Sequence, residues 1–387
     1  MKNNKLYISL LAAAVIGFVS CKNDLDVTAP GEESVSVYGI LNPNASTQYI
    51  RINKVYLTDG DAIASGQDAG TINYGAGELT VTLEHYYNGN QISVNSATLG
   101  LNSSSPSTDR QITLTDTVIT TASGIFNQQQ RLWKTNKKIY PTGEYKLIIK
   151  HGDKEFTAQN IVLDSIKTNS SQPAMPFLYY PTNPTQFPMH GGYPANPIST
   201  DKPKYVNYDN PTLTYNIPFL TVANAKLYDV VIRFHYVDSL LSGGTAIHQT
   251  VDFTIPTMKS TDLAGGEKLT ASFVGQDFYN SLATEISKKT PSNLKNRKAH
   301  YLEYIITAGA ESLHEFLQVN APSTTIAQDK PYFTNIKGGV GIFSSKSRST
   351  VTKDMWADMI DELACHPSTY SLKFCDYAGQ PRAVPCQ

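Results

Sequence analysis

"PTGEYKLIIKHGDKEFTAQNIVL", residues 141–163, is the stretch in which the fold becomes legible. Two β-prone runs flank Gly152-Asp153, a dipeptide suited to a tight turn, so the stretch predicts a hairpin. The same grammar extends upstream. Ser34 to Leu41 and Tyr49 to Leu57 are β-prone runs joined by the turn sequence "NPNAS". In the second run Ile50 and Ile52 share one phase and Val55 and Leu57 the other, which predicts a bulge near Asn53. Glu78 to His85 alternates, with Leu79, Val81 and Leu83 inward and Thr80, Thr82 and Glu84 outward. Asn88-Gly89 supplies a further hairpin turn. These runs define a first domain over residues 34–163.

The "PxGxYxL" opening of the quoted stretch resembles the tyrosine corner of immunoglobulin-like sandwiches, with Tyr145 as the corner residue. An ordinary strand tyrosine is the other reading. Residues 164–203 change character, because "QPAMPFLYYPTNPTQFPMHGGYPANPISTDKP" holds too much Pro and Gly for a helix or a central strand. They read as a linker. Its Phe177, Tyr179, Tyr180, Phe187 and Tyr193 either pack on a neighbouring sheet, the preferred reading, or form a sugar-stacking surface.

A second domain follows over residues 204–347. Tyr228, Val230, Ile232, Phe234 and Tyr236 alternate along one strand face, as in fibronectin type III-like sandwiches. Asp277 to Lys288 predicts a helix whose Phe278, Leu282 and Ile286 form one packing stripe. Ala299 to Ala308 reads as a strand and Glu311 to Val319 as a short helix. "IKGGVGIF", Ile336 to Phe343, is a glycine turn leading into an apolar strand, without the Lys-Ser/Thr of a phosphate-binding loop. Residues 348–387 read as a cysteine-containing helical tail. The expected fold is mainly β: two immunoglobulin/fibronectin III-like β-sandwich domains, the second with one or two helices, plus that tail.

Composition narrows the function classes. Charged residues are 17% and the formal net charge is -1, so the chain carries no electrostatic footprint for nucleic acid. Twenty-three tyrosines, with frequent Ser, Thr and Asn, suit a β-rich extracytoplasmic protein. The N-terminus agrees. Lys2 and Lys5 precede an apolar run from Leu6 to Val19, shorter than the roughly 18 to 20 residues of a membrane-spanning helix. Cys21 follows at the place where a bacterial lipobox has its acylated cysteine, although Phe18 stands where Leu is usual. Residues 1–20 are thus read as a lipoprotein signal peptide and 21–33 as a polar tether. Several acyl chains on Cys21 would anchor the protein stably, since each buried methylene contributes about 0.8 kcal/mol.

The lipobox, "VYGILNPN…QYIRINKVYL", "GEYKLIIKHGDKEFTA", "GQDFYNSLATEI" and "PYFTNIKGGVGIFSS" occur in this order. Together they resemble a family of Bacteroidota lipoproteins known as domain of unknown function 4249, over roughly Cys21 to Ser347. The resemblance implies an envelope lipoprotein, often associated with outer-membrane transport systems. It implies no activity and no catalytic residues.

The search for chemistry is mostly negative. "HEFLQ" from His314 begins like a zinc-protease helix, but Gln318 stands where the second ligand must be. There is no G-x-S-x-G elbow. Asp59, Asp61 and Asp68 have a spacing able to hold calcium, yet Ile63 occupies the third acidic position, and an ordinary polar loop is preferred. Asp354, Asp358 and Asp361 are spaced to line one face of the tail helix, opposite Met355, Met359 and Leu363. Cys365, Cys375 and Cys386 are disulfide candidates in an oxidising envelope, with one left over. Cys365–Cys375 and Cys375–Cys386 both close short loops and stay open, and His366 makes a metal the weaker rival. No cofactor is expected. The expected function is a non-enzymatic binding or accessory lipoprotein, anchored in the outer membrane on its periplasmic or cell-surface face. Its partners would be an outer-membrane (TonB-dependent) transporter or another envelope protein. A surface glycan-binding or adhesin-like protein is the alternative.

Overall fold

The computed structural model describes residues 34–55, 68–87, 89–92, 110–120, 129–166, 205–321 and 332–380. The protein is mainly β, with several sheets and few helices.

The N-terminal half holds β1 (Val35–Leu41), β2 (Gln48–Lys54), a short helix α1 (Ala69–Ile72), β3 (Thr80–Tyr87) and β4 (Asn90–Gln91). β5 (Gln111–Thr113), β6 (Thr115–Thr120), β7 (Gln129–Thr135), β8 (Glu144–His151) and β9 (Lys154–Ile161) complete it. One layer runs in the order β1-β2-β7-β6, the other β4-β3-β8-β9, with β5 also on β3. The 141–163 hairpin forms as expected, Lys150 pairing with Glu155 and Ile149 with Phe156. Val81, Leu83, Leu147, Ile149, Phe156 and Trp133 turn into one core with Val37, Ile50 and Ile52.

Two expectations change here. No bulge forms at Asn53: β2 stays in register with β1 and ends at Lys54. Ile52 and Asn53 are both buried because the Asn53 amide donates to the Ile72 carbonyl at 3.2 Å, tying β2 to α1. Glu84 is buried rather than outward, since it accepts from the Tyr86 hydroxyl at 2.7 Å and the Gln111 amide at 2.6 Å. That hydrogen bond, ahead of burial, pushes the Tyr86 phenol up to about 12.

The C-terminal half holds β10 (Tyr205–Val206), β11 (Thr214–Leu220), β12 (Ala225–Leu240), β13 (Ile247–Lys259) and β14 (Lys268–Val274). Helix α2 (Gly275–Ser287), β15 (Leu294–Ala310), α3 (Glu311–Asn320), β16 (Val340–Met355) and α4 (Ala357–Cys365) follow. The predicted strand face of β12 and the stripe of α2, joined by Tyr279, lie in a second core with β11 and β14.

β16 joins the halves. Its first part pairs in parallel with β1, Ser36 to Val340 through Leu41 to Ser345, and its second part runs antiparallel to β15. One continuous sheet therefore runs β13-β12-β15-β16-β1-β2-β7-β6. Phe343 and Ile336 fill the N-terminal core although they follow β10 to α3 of the C-terminal half in sequence. A buried Phe of this kind contributes about 2 kcal/mol.

The boundary expected after residue 347 thus falls inside a strand. Asp354 and Met355 belong to β16, so Asp354 is not on the tail helix with Asp358 and Asp361. The tail is not a satellite either. Met359, Leu363, Leu372 and Phe374 are part of the second core. Buried Arg297 fastens them, pairing with Asp238 at 2.8 Å and donating to the Leu372 carbonyl at 2.8 Å.

Candidate functional site

The junction is built largely from small polar residues held by hydrogen bonds. The Asn335 amide brackets the backbone of Phe343, donating to its carbonyl at 2.6 Å and accepting from its N–H at 2.8 Å, in imitation of a paired strand. Lys337 and Thr157 exchange backbone hydrogen bonds, which ties this segment to β9. The Ser345 hydroxyl donates to the Ile161 carbonyl at 3.0 Å and accepts from the Leu163 N–H at 3.3 Å. Ser344 and Ser312 hydroxyls meet at 2.7 Å, while Asn44 accepts from the Arg348 N–H at 2.9 Å.

Two clefts open above this weld. The larger, 470 Å³, lies between Glu144, Gln159 and Ile161 of the N-terminal half and Leu263, Glu311 and Ser312 of the other. The second, 280 Å³, lies between Thr142, Val162 and Asp164 and the loops at Leu220–Asn224 and Ala264–Gly266. Asn224 lines both, so the two clefts adjoin there, and together they are called the groove. Its walls carry two of the three non-glycine residues with positive φ among those described, Thr142 at 62° and Asn224 at 65°. A β-branched residue in that region is strained by about 1–3 kcal/mol, and such strain gathers where a surface is shaped for use. Backbone bonds hold it: the Thr142 N–H donates to the Val162 carbonyl and the Asn224 N–H to the Leu263 carbonyl, both at 2.9 Å.

The groove presents the carboxylates of Glu144, Asp164 and Glu311 with amides and hydroxyls, and Ile161 and Leu263 as apolar wall. No Lys, Arg, His or Cys is among its described lining residues. This surface can accept hydrogen bonds and attract positive charge.

A second cluster of titratable groups lies where β10 and α4 meet α2. Burial pushes the Asp209 carboxyl up, and burial followed by the charge of Asp209 does the same to Glu362. Tyr279 stacks on His366 with centroids 4.6 Å apart and 16° between planes, and burial lowers the His366 pKa. His366 Nδ1 accepts from the Ser368 N–H at 3.1 Å. His366 is therefore a packed core imidazole with one nitrogen occupied.

The other candidates separate in space. Asp68 caps α1, accepting from the Gly70 N–H at 2.9 Å, while Asp59 and Asp61 lie outside the described residues. So do Cys21, Cys386 and the linker aromatics Phe177, Tyr179, Tyr180, Phe187 and Tyr193. Cys375 is a free, buried thiol whose pKa is raised by burial, which takes it out of both short-loop pairings. Asp361 accepts from the Tyr377 N–H at 2.7 Å. His314 sits on α3, which buries no residue fully. Among the described residues no set of three or more His, Cys, Asp or Glu side chains is placed to hold a metal, and no helix is long and apolar enough to cross a membrane.

Tyr145 makes the corner bond, its hydroxyl accepting from the Tyr140 N–H at 3.0 Å. Sequence reading missed that the device recurs: Tyr215 accepts from the Asn210 N–H at 3.1 Å and Tyr228 from the Val222 N–H at 2.8 Å. The signal was a tyrosine five or six residues after a turn, at the head of a strand. It also missed the positive φ of Thr142 and Asn224. Neither a scan against protein-family models nor a search of curated proteins gives a match for this chain.

Proposed function

We propose that this is a lipid-anchored protein of the outer membrane that works by binding, without catalysis, through the groove between its halves. The observation that carries the reading is the groove itself. It is polar, its Ile161, Ser312 and Asn335 are hydrogen-bonded to β16, the strand that pairs with both halves, and no Lys, Arg, His or Cys is among its described lining residues. Cys21 behind its apolar run supplies the anchor. The finer architecture belongs to the same proposal: two β-sandwich domains, the first immunoglobulin-like. In its support, the layers β1-β2-β7-β6 and β4-β3-β8-β9 enclose one core, with a corner tyrosine on β8.

The setting beside an outer-membrane transporter rests on the family resemblance alone. The surface glycan-binding reading draws on the groove's amide and carboxylate lining, but no aromatic ring is among its described lining residues to stack on a sugar, so it stands second. The anchor is tested by Cys21→Ser in cells labelled with radioactive palmitate. Loss of label and release of the protein from the membrane fraction are expected. Unchanged labelling and membrane partition would refute the anchored reading.

A further inference from the structure

On the outer face of the C-terminal sheet, away from both cores, the pairing of β12 with β15 slips by one residue. His235 stands opposite Tyr301, yet Tyr236 stands opposite Ala299, so His300 is the extra residue of a bulge. In a regular strand His300 would point inward. The bulge instead turns His300 and Tyr301 outward in succession, which is how bulges re-aim side chains. On the opposite side of β12, His248 of β13 pairs with Val237. The His248 and His300 rings thereby meet over β12 with centroids 6.5 Å apart. Both are exposed, and neither makes a hydrogen bond among the described residues.

A line of supports fixes one of them. Glu303 holds His235 at 3.0 Å, His235 stacks on Tyr301 at 4.1 Å and 21°, and Tyr301 backs the His300 ring at 4.7 Å. Arg233 is neutralised by Asp252 at 2.7 Å, and Lys298 is the remaining cation on the His248 rung. Two imidazoles on the strands that flank β12, one steadied from behind, are nitrogen ligands of the kind borderline divalent metals take.

We propose that His248 and His300 form a two-histidine site for a divalent transition metal of the copper or zinc class. Two protein ligands leave the other coordination positions to water or to a donor brought by a partner, so the metal is exchangeable rather than structural. The site lies apart from the groove and does not depend on what the groove binds.

The test is titration of the full-length mature protein with copper(II), read by electron paramagnetic resonance and calorimetry at neutral pH. One equivalent with nitrogen hyperfine structure is expected. His248→Gln or His300→Gln should weaken it at least tenfold, and the double variant should lose it. His314→Gln, on exposed α3, should leave it unchanged. A wild type that takes up no stoichiometric copper, or a double variant that binds it as tightly as the wild type, would overturn the site.

Discussion

Asp209 and Glu362 face each other across the seam between the C-terminal core and α4, and their pKa values are raised for the same reason: water has been stripped from both. A carboxyl raised on folding binds more protons in the native than in the unfolded chain, so stability falls as pH rises through that window. His366 works with the opposite sign. Its lowered pKa means the native chain resists protonation, and stability is lost as pH falls below the ordinary histidine value of about 6.5. Glu362→Gln removes one of the two like charges. It should raise stability at pH 7.5 by about 0.5 kcal/mol, the group being half exposed and screened. The gain should shrink on acidification to pH 5, because the raised pKa brings wild-type Glu362 closer to its neutral form. Urea midpoints of both proteins at the two pH values check this; a variant less stable at pH 7.5 would contradict the like-charge account. Neither residue was legible beforehand, because their encounter depends on the tail packing into the core.

At the level of elements, the alternating runs were readable and the long strand β16 was not. β12, α2 and the 141–163 hairpin announce themselves by period, since one face of each is apolar. β16 instead buries Ser344, Ser345, Ser347 and Ser349, which sequence pattern assigns to the outside. Ser344, Ser345 and Ser347 find hydroxyl partners at the junction, and small side chains let the two halves approach. Gly341 is the extreme case. Its φ is 107° and a Cβ there would collide with the Val37 carbonyl of β1. Gly341→Ala should cost about 3 kcal/mol or more in denaturant unfolding, through strain and the loss of the parallel ladder. Gly243→Ala is the control: φ is 69° with open space around it, so the cost should stay near 1 kcal/mol. Equal effects of the two substitutions would mean that the β1–β16 contact matters little.

Across the whole molecule, two cores could be foreseen but not their connection. A linker-like stretch between two sandwich-like patterns suggests two units that part easily, whereas one strand crosses from the first core to the second sheet. No local pattern reports a pairing between residues about 300 positions apart. Ile161, Ser312 and Asn335 of the groove are hydrogen-bonded to that strand, so the binding proposal stands on the two halves behaving as one body. The chain has only two tryptophans, Trp133 in the first core and Trp356 after β16 in the second half, both buried. Trp356→Phe leaves a reporter on the N-terminal half alone, and Trp133→Phe leaves one on the C-terminal half. The decisive measurement is urea unfolding of each variant, followed by tryptophan fluorescence and by far-ultraviolet circular dichroism on the same samples. A shared strand predicts that, in each variant, the single tryptophan and the dichroism lose their native signal at one common midpoint. A dichroism curve with two steps, with each tryptophan following only one of them, would show two independent halves and a groove with no fixed form.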